Sequence, residues 1–351
     1  MRGSVLVVGN FLSKEGISRQ VCEELSERLS SRGWQVISVS RKLGRLSRLL
    51  DMVSTVWRKR HEYSVAQVDV FSGNSFVWAE AACAVLKLLG KPFVLTLHGG
   101  MLPEFAVQHP ARVRRLLQAA AAVTAPSEFL RQSLSNFRPD IMVIPNGVDI
   151  DRYPFHLKAR GDGRLLWLRA LENTYNPTLA VEVLASLASD YSKLQLIMVG
   201  PDKDGSLSKL KDLACQLGVS NQVEFPGQVP KEDVPLWMAR GDVFLNTTNV
   251  DNTPVSVIEA MACGVPVVST AVGGIPFLIQ DGVDGLLVPP RDSVAMVAAV
   301  RKLLVKPDFA EQLSGAARDK VEAWSWQMIL PQWEALFQKV TLRHEAVHGR
   351  N

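Results

Sequence analysis

No stretch of this 351-residue chain runs to about eighteen uninterrupted apolar residues, so no transmembrane helix is expected. Cysteine is scarce: Cys22, Cys83, Cys215 and Cys263 lie far apart, with no Cys-x-x-Cys pair. That spacing argues against a zinc site and for a reducing compartment. The N-terminal residues pass directly into Val5-Leu-Val-Val8, a strand's length, without the long apolar run and cleavage site of a secretory signal. A cytoplasmic location is the expectation. Gly-x-Gly-x-x-Gly is missing, which counts against a dinucleotide oxidoreductase. No internal repeat or low-complexity tract stands out.

What is present is a soluble composition, 47% apolar and 21% charged, in a chain long enough for two domains. Short apolar runs alternate with amphipathic stretches throughout, the pattern of α/β parallel sheets covered by helices. The first half offers strands at 5–9, 35–40, 69–72, 93–98, 122–125 and 141–145. After a polar passage around 150–163 the alternation resumes at Leu165 and continues through 194–200, 223–226, 243–246, 265–269 and 285–288. Two doubly wound domains are therefore expected, 1–155 and 156–323, followed by a tryptophan-rich terminal helix over 324–345. The formal charge of +4 is small, but the segment from Arg41 to Arg60 holds seven basic residues against one acid. Such a patch attracts anionic surfaces or substrates.

The most informative stretch runs from Asp251 to Val268. Thr253 suits an N-cap, Pro254 the first helical position and Gly264 a left-handed stop, with a buried strand after it. The first amides of that helix, near Val255 and Ser256, would point out of its end and offer a phosphate site. Asp251 and Glu259 flank this end. Carboxylates repel an anion, so they would accept hydrogen bonds from hydroxyls of the same ligand. Phosphate together with hydroxyls suggests a nucleotide sugar.

The segment resembles the signature of retaining glycosyltransferases of family 4, which have the GT-B fold: Glu-x7-Glu followed by Ala-Met-Ala-Cys-Gly-x-Pro-Val-Val, with Asp251 here in the first position. The resemblance implies a donor-sugar contact for Asp251 and a ribose contact for Glu259. It also implies an interdomain cleft, an acceptor-binding first domain, a donor-binding second domain and a last helix returning to the first domain. The Glu-to-Asp change shortens the side chain by one methylene, about 1.5 Å. Arg169, closing the strand at Leu165, matches the family's diphosphate-binding arginine. The lysine that follows it in the family is replaced by Thr174, Tyr175 and Asn176. Either Arg169 acts with the helix N-terminus at Val255, or another cation such as Lys203 or Arg19 substitutes for the lysine, or activity is weak.

His98, at a strand's carboxyl end before two glycines, would face the donor sugar. Gly16 belongs to the glycine-bearing first loop. Gly200 ends the strand that lines the nucleotide pocket, and Gly227 with Val229 would hold the base through backbone groups. The expected catalytic set is His98, Arg169, Asp251 and Glu259. The donor-binding set is Gly16, Gly200, Gly227, Val229, Thr253, Val255, Ser256 and Glu259. Gly273-Gly274 reads mainly as turn chemistry. No metal and no cofactor are expected. The partners expected are a nucleotide-sugar donor, an unidentified acceptor and an anionic membrane touched by 41–60, with no nucleic acid. No carboxylate pair at nucleophile spacing is evident, so the implied route has the leaving phosphate take the acceptor's proton on one face. The rivals are a GT-B nucleotide-sugar epimerase and a non-catalytic nucleotide-sugar binder.

Overall fold

The computed structural model describes residues 3–13, 20–157 and 163–348. In the first half, six parallel strands form one sheet: β1 (Ser4–Val8), β2 (Gln35–Val39), β3 (Val65–Val70), β4 (Phe93–Leu97), β5 (Ala122–Ala125) and β6 (Met142–Val143), in the order β2-β1-β3-β4-β5-β6. The second half repeats the architecture with β7 (Arg164–Leu168), β8 (Gln195–Val199), β9 (Val223–Gly227), β10 (Val243–Asn246), β11 (Val267–Thr270) and β12 (Leu286–Val288), ordered β12-β11-β10-β7-β8-β9. Near-continuous Val, Leu and Ile runs form these strands because both sheet faces are covered by helices, such as Phe76–Leu88 in the first unit and Pro177–Ala188 in the second.

In such sheets ligands bind outside the carboxyl ends of the strands, where the strand order reverses. The first sheet reverses between β1 and β3. The second reverses between β7 and β10.

The chain divides into a unit of residues 1–147 with 326–351, and a unit of residues 148–325. The boundaries fall earlier and later than expected from the polar passage at 150–163. Val148, Ile150 and Tyr153 are buried in the second unit's core, and the Val148 amide donates to the Trp324 carbonyl at 2.9 Å. The last helix, Trp326–His348, belongs to the first unit. Its Trp326, Ile329, Leu330, Trp333 and Phe337 pack with Val5, Val7, Leu25, Leu29 and Trp34. The Trp34 indole donates to Glu334 at 2.9 Å and the Trp326 indole to Glu24 at 3.2 Å, so the polar edges of both rings are satisfied.

β3 begins four residues before the strand read from the sequence. Two polar residues, Gln67 and Asp69, interrupt its apolar run, yet Gln67 is 1% exposed and bonded within the sheet. Among the described residues no helix is long and apolar enough to cross a membrane, and no cluster of histidine, cysteine and acidic side chains could hold a metal.

Candidate functional site

The second unit gathers most of the expected residues at the carboxyl ends of its strands. Arg169 follows β7, Gly200 follows β8, Gly227 ends β9, and Asp251 lies in the loop after β10. The reversal point is thus bridged by an ion pair, Arg169 Nη2 to Asp251 Oδ2, with both side chains largely buried. Asp251 Oδ1 accepts from the Asn252 amide at 2.8 Å. Burial raises the Asp251 carboxyl above its ordinary value, against the opposing pull of Arg169 and the Asn252 amide.

Close backbone contacts hold the arginine and the loop in place. Gly200, at φ +148°, packs so tightly on Arg169 that a Cβ would lie 1.7 Å from the arginine carbonyl oxygen. Gly273 crosses under Asp251, where a Cβ would meet the aspartate carbonyl at 2.0 Å. The Gly273-Gly274 pair therefore does more than turn the chain. The Gly274 amide donates to the same Asp251 carbonyl at 3.0 Å, fixing the loop from below.

The helix that follows spans Val255–Cys263 and stops at Gly264 in the left-handed region, φ 76°. Its start is one residue later than the sequence suggests. Pro254 occupies the N-cap in an extended conformation, and the Val257 and Ile258 amides donate to its carbonyl at 3.1 and 3.3 Å. Pro254 has no side-chain acceptor, and Thr253, one residue before the cap position, does not cap the helix either. Its Oγ1 is instead buried without a hydrogen-bond partner, and so are Ser256 Oγ and Arg169 Nε. Among the described residues only five side-chain polar atoms share that condition, and these three cluster along one loop, its helix end and the arginine bound to it. Buried polar atoms are normally paired, so unpaired ones gathered at a helix N-terminus suit an acceptor supplied from outside the chain.

Glu259 is 2% exposed and is no solvated helix residue. The Tyr153 hydroxyl donates to its Oε1 at 2.6 Å, and Lys231 forms an ion pair with the same oxygen. Tyr153 is itself held by Arg318, which donates to the carbonyls of Tyr153 (2.9 Å) and Ala262 (2.6 Å). Lys231 lies two residues after Val229, past Pro230. Neither Tyr153 nor Lys231 was marked by the sequence, since both meet Glu259 only through the fold.

The position of the absent lysine is filled by a short turn, Asn173–Tyr175, whose backbone is tied to the loop after β10. Thr247 Oγ1 donates to the Tyr175 carbonyl at 2.7 Å and the Asn249 amide to that of Thr174 at 2.9 Å. The Arg169 guanidinium stacks on the Tyr175 ring, 4.0 Å from its centroid. A ring thus supports the arginine where a second cation was expected. Lys203, offered as a substitute, has an exposed side chain, and Arg19 and Gly16 lie outside the described residues.

His98 is in the first unit, immediately after β4. Its Nε2 is 3.0 Å from Asp69 Oδ1, and its ring stacks on Phe71 with centroids 4.9 Å apart. Asp69 went unmarked in the sequence.

The model of "Glycosyl transferases group 1" matches residues 150–320 and that of "Glycosyltransferase Family 4" matches residues 16–152. The GDP-mannose-dependent alpha-(1-6)-phosphatidylinositol monomannoside mannosyltransferase of Mycolicibacterium smegmatis is 30% identical over 285 residues, covering 72% of this chain and 73% of that protein. The chain is a family 4 glycosyltransferase. The D-inositol 3-phosphate glycosyltransferase of Frankia alni is 27% identical over 308 residues, 79% of this chain and 76% of its own length. Two solved structures share the fold of this glycosyltransferase at a TM-score of 0.80 and 18% identity. They are the Anabaena protein HepE in complex with UDP, covering 96% of this chain and 100% of that one, and sucrose-phosphate synthase from Thermosynechococcus elongatus, covering 97% and 100%. The fold is GT-B.

Proposed function

We propose that this glycosyltransferase moves a sugar from a nucleoside-diphosphate sugar to a hydroxyl of a polyol or lipid-borne acceptor, with retained anomeric configuration and no resident metal or cofactor. The observation that carries this reading is the trio of unpartnered buried atoms, Arg169 Nε, Thr253 Oγ1 and Ser256 Oγ, at the start of the helix Val255–Cys263. A diphosphate supplies acceptor oxygens to all three and to the amides of Val255 and Ser256. Asp251 takes a donor-sugar hydroxyl. Glu259, steadied by Tyr153 and Lys231, takes a ribose hydroxyl, and Gly200, Gly227 and Val229 line the nucleoside. His98 meets a sugar hydroxyl. The leaving phosphate accepts the acceptor's proton while Arg169 and the helix end spread its charge. The donor class is supported by the names of the relatives, one GDP-mannose-dependent, and by the UDP held by the structural neighbour.

Thermal shift with UDP-glucose, UDP-N-acetylglucosamine and GDP-mannose should show one donor raising the melting temperature. With that donor and a panel of inositol phosphates and phosphatidylinositols, the product should keep the donor's anomeric configuration in excess chelator. No shift with any donor, an inverted product or loss of turnover in chelator would overturn the reading. An epimer formed from donor alone would favour the epimerase, and binding without hydrolysis or transfer the non-catalytic binder.

Asp251 gives a pH-dependent check. Because its folded pKa is raised, its stabilising contribution is fully present below the ordinary aspartate value, about 3.9, and is lost as pH rises through the folded value. At neutral pH the buried charge is a cost. Asp251→Asn is therefore expected to melt no lower than the parent at pH 7 while losing about tenfold or more in turnover, one charge-assisted hydrogen bond's worth. In the parent, activity should fall on acidification at a pH above the ordinary aspartate range. Calorimetry and pH-rate profiles check both.

We also propose that residues 41–60 rest on an anionic membrane. The helix Arg45–Arg58 buries Met52 and Val56 but exposes Leu46 (69%), Leu50 (60%) and Trp57 (46%) along one side. Arg48 turns inward to Asn10 and the Trp78 ring, which leaves six basic residues for the surface. Apolar side chains between basic ends suit the interface of an anionic bilayer. The protein should float with phosphatidylglycerol vesicles at low salt, and a Leu46→Glu, Leu50→Glu, Trp57→Glu variant should not. Absence of parent protein from the floated fraction would end the proposal.

A further inference from the structure

The first unit holds a polar cluster at its own strand-order reversal. Asp69, near the carboxyl end of β3, is 5% exposed in its side chain. Its Oδ1 accepts from Gln67 Nε2 at 2.7 Å and lies 3.0 Å from His98 Nε2. Gln67 Nε2 also donates to Thr96 Oγ1 at 2.7 Å, so the glutamine amide is oriented from two sides. The Cys22 thiol, which donates to the Asn10 carbonyl at 3.7 Å, lies beside the same carboxylate, and burial together with that negative neighbour pushes the thiol well up. Gly9, immediately after β1, lets both groups approach. A Cβ there would lie 2.6 Å from Asp69 Oδ2 and 2.8 Å from Cys22 Sγ. Phe71 closes one face of the imidazole.

We propose that Asp69 is a positioning residue for sugar transfer, fixing the ring and tautomer of His98 so that Nδ1 keeps its lone pair for a ligand hydroxyl. An ionised carboxylate can only accept, so the neutral imidazole must carry its proton on Nε2. The bare nitrogen is then Nδ1, which accepts a hydrogen bond from a hydroxyl and cannot donate one. Phe71 stacking and the Nε2–Oδ1 bond together restrain both the tilt and the flip of the ring. The proposal rests on the reading that His98 serves a sugar-bearing ligand.

The Gln67 amide also decides what an asparagine would do at 69. Since Gln67 Nε2 donates into the Oδ1 position, Asp69→Asn places its carbonyl there, and the same oxygen still receives His98 Nε2–H. Asparagine should preserve the arrangement that alanine abolishes.

Nitrogen-15 NMR of labelled parent protein tests the state of the ring without any turnover. The result expected is a protonated Nε2 and a bare Nδ1 for His98, kept in Asp69→Asn and averaging towards a tautomer mixture in Asp69→Ala. A protonated Nδ1 in the parent, or identical spectra for parent and alanine variant, would overturn the proposal, and the parent spectrum decides even if the alanine variant fails to fold. In turnover with the donor found by thermal shift, Asp69→Ala should lose about tenfold in kcat/KM, the scale of one charge-assisted hydrogen bond, while Asp69→Asn stays within about threefold, as for a retained acceptor. In a His98→Ala background the alanine change at 69 should add nothing, because two residues acting through one contact are non-additive. Full additivity would show that Asp69 acts on stability alone. Absence of turnover in the parent would instead sink the transferase reading and leave the NMR result standing.

Discussion

Arg169→Ala is expected to lower kcat by about two to three orders of magnitude, the range seen when one preorganised donor to developing charge is removed. The effect should be large because the turn where a second cation was expected, Asn173–Tyr175, holds no lysine or arginine. It carries Tyr175, whose ring supports Arg169 from below. Arg169→Lys keeps a charge but loses the planar fork and the stacking on Tyr175, so it should fall between the parent and the alanine variant. Donor affinity should weaken less than turnover, since charge on the diphosphate grows as the sugar bond breaks. Steady-state kinetics with the donor varied separates the two. A kcat within a fewfold of the parent for Arg169→Ala would show that the diphosphate is held elsewhere.

The other large effect concerns the last helix. A chain ending at Ser325 loses Trp326, Ile329, Leu330, Trp333, Leu336, Phe337 and Val340, all buried against the first unit. At about 1.5–3 kcal/mol for each large side chain, the loss is on the order of 10 kcal/mol or more. A domain's whole stability is about 5–15 kcal/mol. The first unit is therefore expected not to fold in the shortened chain, while residues 148–325 keep a core of their own. Limited proteolysis should leave a resistant fragment near those limits. A first unit equally resistant with and without the helix would contradict this account.

Fold and candidate site differed in how much of them could be read from residues alone. The alternation of Val-rich strands with amphipathic stretches was enough for two parallel sheets, because strands buried on both faces need continuous apolar runs. β3 was the exception, and for a reason tied to chemistry. Gln67 and Asp69 interrupt its apolar pattern because they form the hydrogen-bonded group around His98. Periodicity treats a polar residue as a surface residue, so it missed Val65 to Val68 and passed over the role of Asp69 at the start of the strand it did read.

In the second unit, Arg169, Asp251 and Glu259 could be picked out by motif, and the helix start was displaced by one residue because proline took the cap. What stayed hidden was pairing across long separations: Tyr153 with Glu259, Lys231 with Glu259, and Arg169 with Asp251. The polar passage after residue 147 likewise gave no sign that Val148, Ile150 and Tyr153 are core residues.

The return of the helix Trp326–His348 to the first unit also sets an order of events during translation. Domains ordinarily fold in the sequence in which they are made. Here the ribosome must complete all of the second unit before the first can cover Trp34, Val5 and Val7. For that interval the nascent first unit carries an uncovered apolar face, a natural client for chaperones, and the unit encoded later has the chance to mature earlier.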